Sequence, residues 1–108
     1  ELMANTYTNA KLDLTTTNVT TLYTCPASTV AVIKSILVSE DSNNADTITV
    51  TVTNGSSVYS LFKVKAVAAN TTIELLTAPL ILQTTEILKV NAASANRLHV
   101  VASLLEVS

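Results

Sequence analysis

The residue with the clearest capacity for chemistry is the single histidine, His99, in the run Arg97-Leu98-His99-Val100. Histidine is the only side chain that titrates near neutral pH without help, so an acid–base or nucleophilic mechanism would depend on it. A catalytic triad also needs a positioned nucleophile and a carboxylate, and the sequence contains no nucleophile-elbow motif. We therefore interpret His99 as a surface or interface residue and expect no enzymatic activity.

One cysteine and three clustered acids are the other candidates for chemistry. Because Cys25 is the only cysteine, it cannot form an intramolecular disulfide, and its uncharged neighbours predict a small buried hydrophobe. Glu40, Asp41 and Asp46 fall in one segment, and carboxylate oxygens are the ligands of hard cations. Their spacing matches no EF-hand, and one cysteine with one histidine cannot build a structural zinc site. We predict no metal centre and no cofactor, and leave open whether residues 40–46 bind an ion.

Charge and hydropathy exclude two classes of partner. The formal net charge is -2, and the six basic residues are scattered along the chain. A nucleic-acid interface would need clustered lysines and arginines with interleaved aromatics, and an anionic membrane surface would need a basic patch. The apolar runs are four to five residues long, too short to span a bilayer. We also expect no signal peptide, and we interpret Glu1 and Leu2 as an expression scar ahead of Met3.

The elements that must position these residues are β-strands. Residues 47–53 alternate threonine with Ile48, Val50 and Val52, the period of a half-buried strand. Asn54 and Gly55 follow, and this pair favours a type I′ turn, which predicts a hairpin between residues 47–53 and 58–64. Residues 30–38 are nearly continuously apolar, which predicts a strand buried on both faces.

Further strands are predicted at 11–16, 19–24, 71–76, 80–82, 87–92 and 97–106, each bounded by turn-forming residues. The total of about eight short strands without a helix predicts an antiparallel β-sandwich, with a jelly roll favoured and an immunoglobulin-like sandwich as the alternative. We assign residues 11–108 to this single domain. Residues 1–10 comprise the scar and an extended arm, and we expect residues 4–14 to reach a neighbouring molecule.

The last strand carries apolar residues on both of its faces. Leu98, Val100, Ala102 and Leu104 share one face, and Val101, Leu105 and Val107 share the other. Both faces need cover, which indicates self-association or docking onto another protein. The predicted partner contacts are Lys34, Arg97, His99, Val101 and Leu105. Lys34 has a second interpretation, with its stem on the sheet and its ammonium group in water.

Several runs resemble small virion structural proteins of tailed bacteriophages, in particular those of marine and cyanobacterial phages. In the first half they are Thr20-Thr21-Leu22-Tyr23-Thr24-Cys25-Pro26-Ala27, Ala31-Val32-Ile33-Lys34-Ser35-Ile36-Leu37-Val38 and Ala45-Asp46-Thr47-Ile48-Thr49-Val50. In the second half they are Ala69-Asn70-Thr71-Thr72-Ile73-Glu74-Leu75, Pro79-Leu80-Ile81-Leu82, Leu88-Lys89-Val90 and Ala95-Asn96-Arg97-Leu98. The resemblance covers residues 14–108, and the acidic segment 40–44 departs from it.

This resemblance implies a β-sandwich that assembles on a phage particle, without a cofactor and without catalytic residues. Two functions follow as expectations. The first is a capsid decoration or cement protein, a homotrimer that braces the virion by protein–protein binding after assembly in the bacterial host cytoplasm. The alternative is a tail- or fibre-associated recognition module that binds a host-surface glycan or receptor through the loops after Val38 and Val64.

Overall fold

Nine β-strands form two antiparallel sheets packed as a sandwich. The computed structural model describes residues 4–108, and these contain no helix. The strands are β1 (Asn5–Asp13), β2 (Thr20–Thr24), β3 (Val30–Glu40), β4 (Asp46–Asn54), β5 (Ser57–Val67), β6 (Thr72–Glu74), β7 (Leu80–Leu82), β8 (Ile87–Ala92) and β9 (Leu98–Val107). No helix in the described part of the chain is long and apolar enough to cross a membrane.

The strand order is that of a jelly roll. The strands pair as a nested ribbon, β1 with β9, β2 with β8, β3 with β6 and β7, and β4 with β5. Additional pairing of β9 with β3 and of β8 with β4 rolls this ribbon into a five-stranded and a four-stranded sheet. In an immunoglobulin-like sandwich the first two strands share a sheet, whereas β1 and β2 here lie in different sheets. The predicted jelly roll is therefore confirmed.

Inward-facing aliphatic side chains fill the space between the two sheets. Ile48, Val50 and Val52 are buried, as their alternation with threonine predicts. Strand β3, by contrast, was expected to be buried on both faces, and that prediction is wrong. Its outward side chains Val30 and Leu37 are exposed, because the outer face of the five-stranded sheet has no covering layer among the described residues. The apolar run of β3 therefore contributes side chains both to the core and to the uncovered outer face of the sheet.

The β4–β5 hairpin forms as predicted, but its turn is displaced by one residue. Asn54 pairs with Ser57, so the two turn residues are Gly55 and Ser56. Gly55 has φ +62°, whereas Asn54 and Ser56 are not in the positive-φ region. Positive φ at the first turn position alone is the pattern of a type II′ turn, which glycine at that position favours. The single glycine of the chain therefore sets the register of the hairpin.

The amino-terminal segment belongs to its own sheet, contrary to the expectation that residues 4–14 reach a neighbour. Asn5–Asp13 form β1, which pairs with β9 along its whole length, and Ala4 exchanges backbone hydrogen bonds with Ser108. A strand edge offers a row of unpaired donors and acceptors, and β9 supplies the complementary row. The boundary expected at residue 10 falls within β1. The predicted scar at residues 1 and 2 lies outside the described residues.

A break between β6 and β7 leaves part of the β3 edge without a strand partner. The backbone amide of Ile36 instead donates to the Glu74 carboxylate at 2.8 Å, and the Ser35 hydroxyl donates to the same group. Burial alone would raise the pKa of Glu74, but these donors outweigh it and lower the pKa. The Glu74 carboxylate thus accepts a hydrogen bond from a backbone amide of β3 that has no acceptor on a neighbouring strand.

Candidate functional site

The outer face of the five-stranded sheet carries a continuous apolar row. Cross-strand pairs share a face of a sheet, so the register defines which side chains stand together. Pairing of Tyr7 with Leu105, of Leu105 with Val32, and of Val32 with Ile81 places one row across four strands. Tyr7 is 75% exposed and Ile81 51% exposed. A second apolar pair, Val101 with Leu37, lies further along the same face.

The outer face of the four-stranded sheet is polar by comparison. Its register places together Thr21, Lys89, Thr51 and Ser60. Solvated antiparallel sheets normally present such polar side chains on their outward face. The two outer faces therefore differ in one respect: the five-stranded sheet has an apolar row that crosses four strands, whereas the row described on the four-stranded sheet is polar. The face of the five-stranded sheet also carries polar side chains, among them Asn9, Lys11 and Ser103.

The predicted contact residues are distributed unevenly around this face. His99, Val101 and Leu105 alternate along β9 and all point outward. Lys34 lies at a bulge in β3, and its Nζ stands 5.8 Å from the centre of the Tyr7 ring, within cation–π range. Arg97 precedes β9, and its guanidinium group donates to the backbone carbonyl of Ala45 at 2.8 Å.

His99 lies between two carboxylates that come from distant parts of the chain. Its Nε2 is 3.3 Å from Oδ1 of Asp13 on β1, and its Nδ1 is 3.7 Å from Oδ1 of Asp41 in the β3–β4 loop. The two acids approach opposite ring nitrogens, so they cannot converge with the imidazole on one ion. All three side chains are substantially exposed, and such surface pairs contribute little to stability. We call these three residues the His99 cluster.

The buried carboxylates of the acidic segment 40–46 accept hydrogen bonds from backbone amides in this segment and next to it. Glu40 accepts hydrogen bonds from the backbone amides of Ser42, Asn44 and Asn70 at 2.8, 3.2 and 3.0 Å. Burial alone would raise the pKa of Glu40, but these donors and the Ser42 hydroxyl outweigh it and lower the pKa to about 2. Asp46 likewise accepts from two backbone amides. Residues 4–108 contain no group of three or more His, Cys, Asp or Glu side chains placed to hold a metal ion.

Cys25 is enclosed rather than reactive. Its Sγ donates to the carbonyl oxygens of Thr29 and Leu82 at 3.2 and 3.6 Å, and the residue is buried. Burial raises the pKa of the thiol, which lowers the fraction of the nucleophilic thiolate.

A groove of about 340 Å³ opens at the edge of the sandwich between β5 and the segment joining β6 to β7. The lining residues are Leu61, Phe62, Leu75, Leu76, Thr77, Ala78, Pro79 and Leu80. Apolar side chains dominate this lining, so the groove offers few groups for orienting a polar ligand.

Four contributors to the apolar face were not among the contacts predicted from the sequence: Tyr7, Val32, Leu37 and Ile81. Val32 and Leu37 fall in the strand that was expected to be buried on both faces. Tyr7 falls in the segment expected to leave its sheet, and Ile81 falls in a predicted strand of three residues. Only the alternation of side chains along β1 could have indicated the position of Tyr7, and it is weak in this polar segment. No protein-family model matches the sequence, and no curated protein matches it.

Proposed function

We propose that this protein is a virion structural protein of a tailed bacteriophage, a homotrimer that decorates and stabilises the capsid by protein–protein contact. The observation that carries the proposal is the exposed apolar row across four strands on the outer face of the five-stranded sheet. The jelly roll alone is a weak argument, because one fold hosts many functions. The proposed location on a virion is supported by the sequence resemblance alone.

The apolar outer face of the five-stranded sheet is the proposed contact surface. With strand rise and spacing of about 3.4 and 4.8 Å, it extends roughly 27 Å along β9 and about 14 Å across four strand axes. A standard interface takes about 800 Å² from each partner, so a partner that covers this face also covers its borders. Each Å² of apolar surface removed from water contributes about 25 cal/mol. Tyr7 and Ile81 are the most exposed large side chains available for that burial.

Binding, rather than catalysis, accounts for the polar residues of this face. The His99 cluster lies at one end of this face, and Lys34 lies beside the apolar row with its Nζ over the Tyr7 ring. Charged groups of an interface usually set orientation and specificity. Cys25, the strongest nucleophile by type, is enclosed by backbone carbonyls and is not offered to a substrate.

The recognition-module alternative is favoured by one observation, the exposed ring of Tyr59 on β5. An exposed aromatic ring can stack on a sugar, but a glycan site also needs polar groups around the ring. The groove on β5 is lined mainly by apolar side chains. Specific glycan binding that disappears in Tyr59→Ser and persists in Tyr7→Ser would favour this alternative.

Oligomer mass after size exclusion, measured by light scattering, tests the proposed function. A trimer of this 11.4 kDa chain has a mass of about 34 kDa. Ile81→Lys places a charge in the apolar row, and we expect it to reduce the mass to that of a single chain. Val19→Lys is the matched control, because Val19 is an exposed apolar residue outside both sheets. A wild-type monomer, or equal effects of the two variants, would contradict the proposal.

A further inference from the structure

The tip of the β4–β5 hairpin places an asparagine directly before the only glycine of the chain. Asn54 is the last residue of β4 and is exposed, and Gly55 follows it as the first residue of the turn. Asparagine is a thermolabile residue, because the backbone nitrogen of the next residue can attack its side-chain carbonyl carbon. A side chain on that next residue hinders the attack. Glycine has no side chain and therefore hinders it least.

The surroundings of Gly55 leave room for this reaction. A methyl group on the Gly55 Cα would meet no atom within 4 Å. The ladder of the hairpin joins Asn54 to Ser57, and in a two-residue turn the amides of the turn residues lie outside the ladder. The backbone nitrogen of Gly55 is therefore exposed to water, and neither packing nor the ladder holds it in place.

One exposed hydrogen bond restrains the side chain of Asn54. Its Nδ2 donates to Oε2 of Glu86 at 3.2 Å. Glu86 lies in the connection between β7 and β8, so this bond joins the hairpin tip to a separate segment. The ends of strands and the tips of turns open at a small cost in free energy. When this bond and the terminal Asn54–Ser57 pair open, the side-chain carbonyl can turn toward the Gly55 nitrogen.

The other asparagines lack this combination. Each of them is followed by a residue that has a side chain, and they are Asn5, Asn9, Asn18, Asn43, Asn44, Asn70, Asn91 and Asn96. Three of these, Asn18, Asn44 and Asn96, are exposed as Asn54 is. A comparison with these three therefore separates the effect of the following glycine from the effect of exposure.

We propose that Asn54 is a site of spontaneous deamidation, and that the reaction releases the hairpin tip from Glu86. The Gly55 nitrogen forms a bond to Cγ of Asn54, the Cγ–Nδ2 bond breaks, and the proton of the Gly55 nitrogen leaves with Nδ2 as ammonia. Water then opens the resulting succinimide ring at one of its two carbonyl groups. Opening at Cγ gives aspartate. Opening at the backbone carbonyl gives isoaspartate, in which the main chain runs through the former side chain.

Both products remove the hydrogen bond to Glu86. Residue 54 loses its amide donor and gains a negative charge, so two carboxylates meet where the hydrogen bond was. The net charge of the chain, -2 before the reaction, becomes one unit more negative. Isoaspartate also lengthens the main chain before Gly55 by one atom, which disturbs the pairing of residue 54 with Ser57.

Peptide mass spectrometry of the folded protein after incubation in warm, mildly alkaline buffer tests the site. We expect Asn54 to convert several-fold faster than Asn18, Asn44 and Asn96, with isoaspartate among the products. Asn54→Gln is the matched control, because it keeps an amide donor at this position but would have to close a larger ring. This variant should not show the fast conversion. Conversion of Asn54 at the same rate as the three exposed asparagines overturns the inference.

Asn54→Asp reproduces one product and tests the structural consequence. Hydrogen exchange should be faster at the amides of residues 54–57 in Asn54→Asp than in the wild type, and Asn54→Gln should exchange as the wild type does. High salt should reduce the difference, because the repulsion from Glu86 acts between exposed carboxylates. Unchanged exchange at the hairpin tip in Asn54→Asp overturns the proposed release from Glu86.

Discussion

Replacement of Tyr23 by phenylalanine should destabilise the sandwich by removing a hydrogen bond between its two sheets. The Tyr23 hydroxyl on β2 donates to Oε2 of Glu106 on β9 at 2.5 Å. These strands belong to different sheets and are separated by 83 positions in the sequence. The substitution removes one oxygen atom and leaves the ring to pack as before, so its effect reports on the hydrogen bond.

The expected loss of unfolding free energy in Tyr23→Phe follows from the charge of the Glu106 acceptor and from the partial burial of Tyr23. Hydrogen bonds to charged groups contribute about 1.5–3 kcal/mol, and the half-buried position of Tyr23 places this one near the lower limit, about 1.5 kcal/mol. Small proteins unfold in urea with a slope near 1.5 kcal/mol per M. The midpoint of urea unfolding should therefore fall by about 1 M, measured at a fixed protein concentration because association also affects stability.

Tyr7→Phe is the matched control, because Tyr7 is exposed on β1 and should tolerate the same substitution with little change. A midpoint for Tyr23→Phe within about 0.3 M of that control would refute the claim that the hydroxyl joins the sheets. A changed slope without a changed midpoint would also count against it, since the slope reports the surface exposed on unfolding.

The contribution of the Tyr23 hydroxyl to stability should depend on pH in the alkaline range. Burial, followed by the hydrogen bond to Glu106, raises the pKa of Tyr23 above its ordinary value in the folded protein. In the unfolded chain a tyrosine ionises near pH 10. The stabilisation is therefore fully present below about pH 10 and is lost as the pH rises beyond it. The difference in urea midpoint between wild type and Tyr23→Phe should narrow above pH 10.

Three further predictions follow from burial and hydrogen bonding. Glu40→Gln should lower the melting temperature at pH 6. In the wild type, the stabilisation by Glu40 should be lost as the pH falls from the usual pKa of a glutamate toward the folded pKa of about 2. The variant should lack that part of the pH dependence in thermal scans. Leu104→Ala should cost about 2–5 kcal/mol in urea unfolding, and Leu105→Ala, on the outer face, under about 1.5 kcal/mol; equal costs would contradict the assigned orientation of β9. Cys25 should react slowly with a thiol reagent in the native protein and rapidly in urea, and fast native labelling would contradict its enclosure.

The candidate site was predicted only in part, because its members come together through long-range pairing. The alternation along β9 placed Val101 and Leu105 on the same face, since period two is a local property of a strand, but it did not indicate which face points outward. The carboxylates beside His99 were not predicted as its neighbours. Asp13 reaches His99 through the pairing of β1 with β9, and Asp41 reaches it through a loop after β3.

Two errors arose where local signals were applied beyond their range. The Asn54-Gly55 pair predicted a turn centred on both residues, but the ladder of β4 and β5 continues to Asn54 and moves the turn to Gly55 and Ser56. The polar segment before residue 14 has little apolar periodicity, so it was expected to leave the sheet. Its strand conformation depends on the free edge of β9, which lies at the opposite end of the sequence.

The sequence by itself determined the class of the protein and the character of its strands. An antiparallel sandwich is specified by the alternation of threonine with aliphatic residues, by the low charge and by the absence of helical spacing. These signals can be read from the sequence because each is set by residues a few positions apart. Only the tertiary structure decided which face stays open and which charged groups meet. The first strand pairs with the last, and the apolar run of β3 divides between core and outer face according to what packs against each side. Those outcomes depend on contacts between distant segments, which no local pattern encodes.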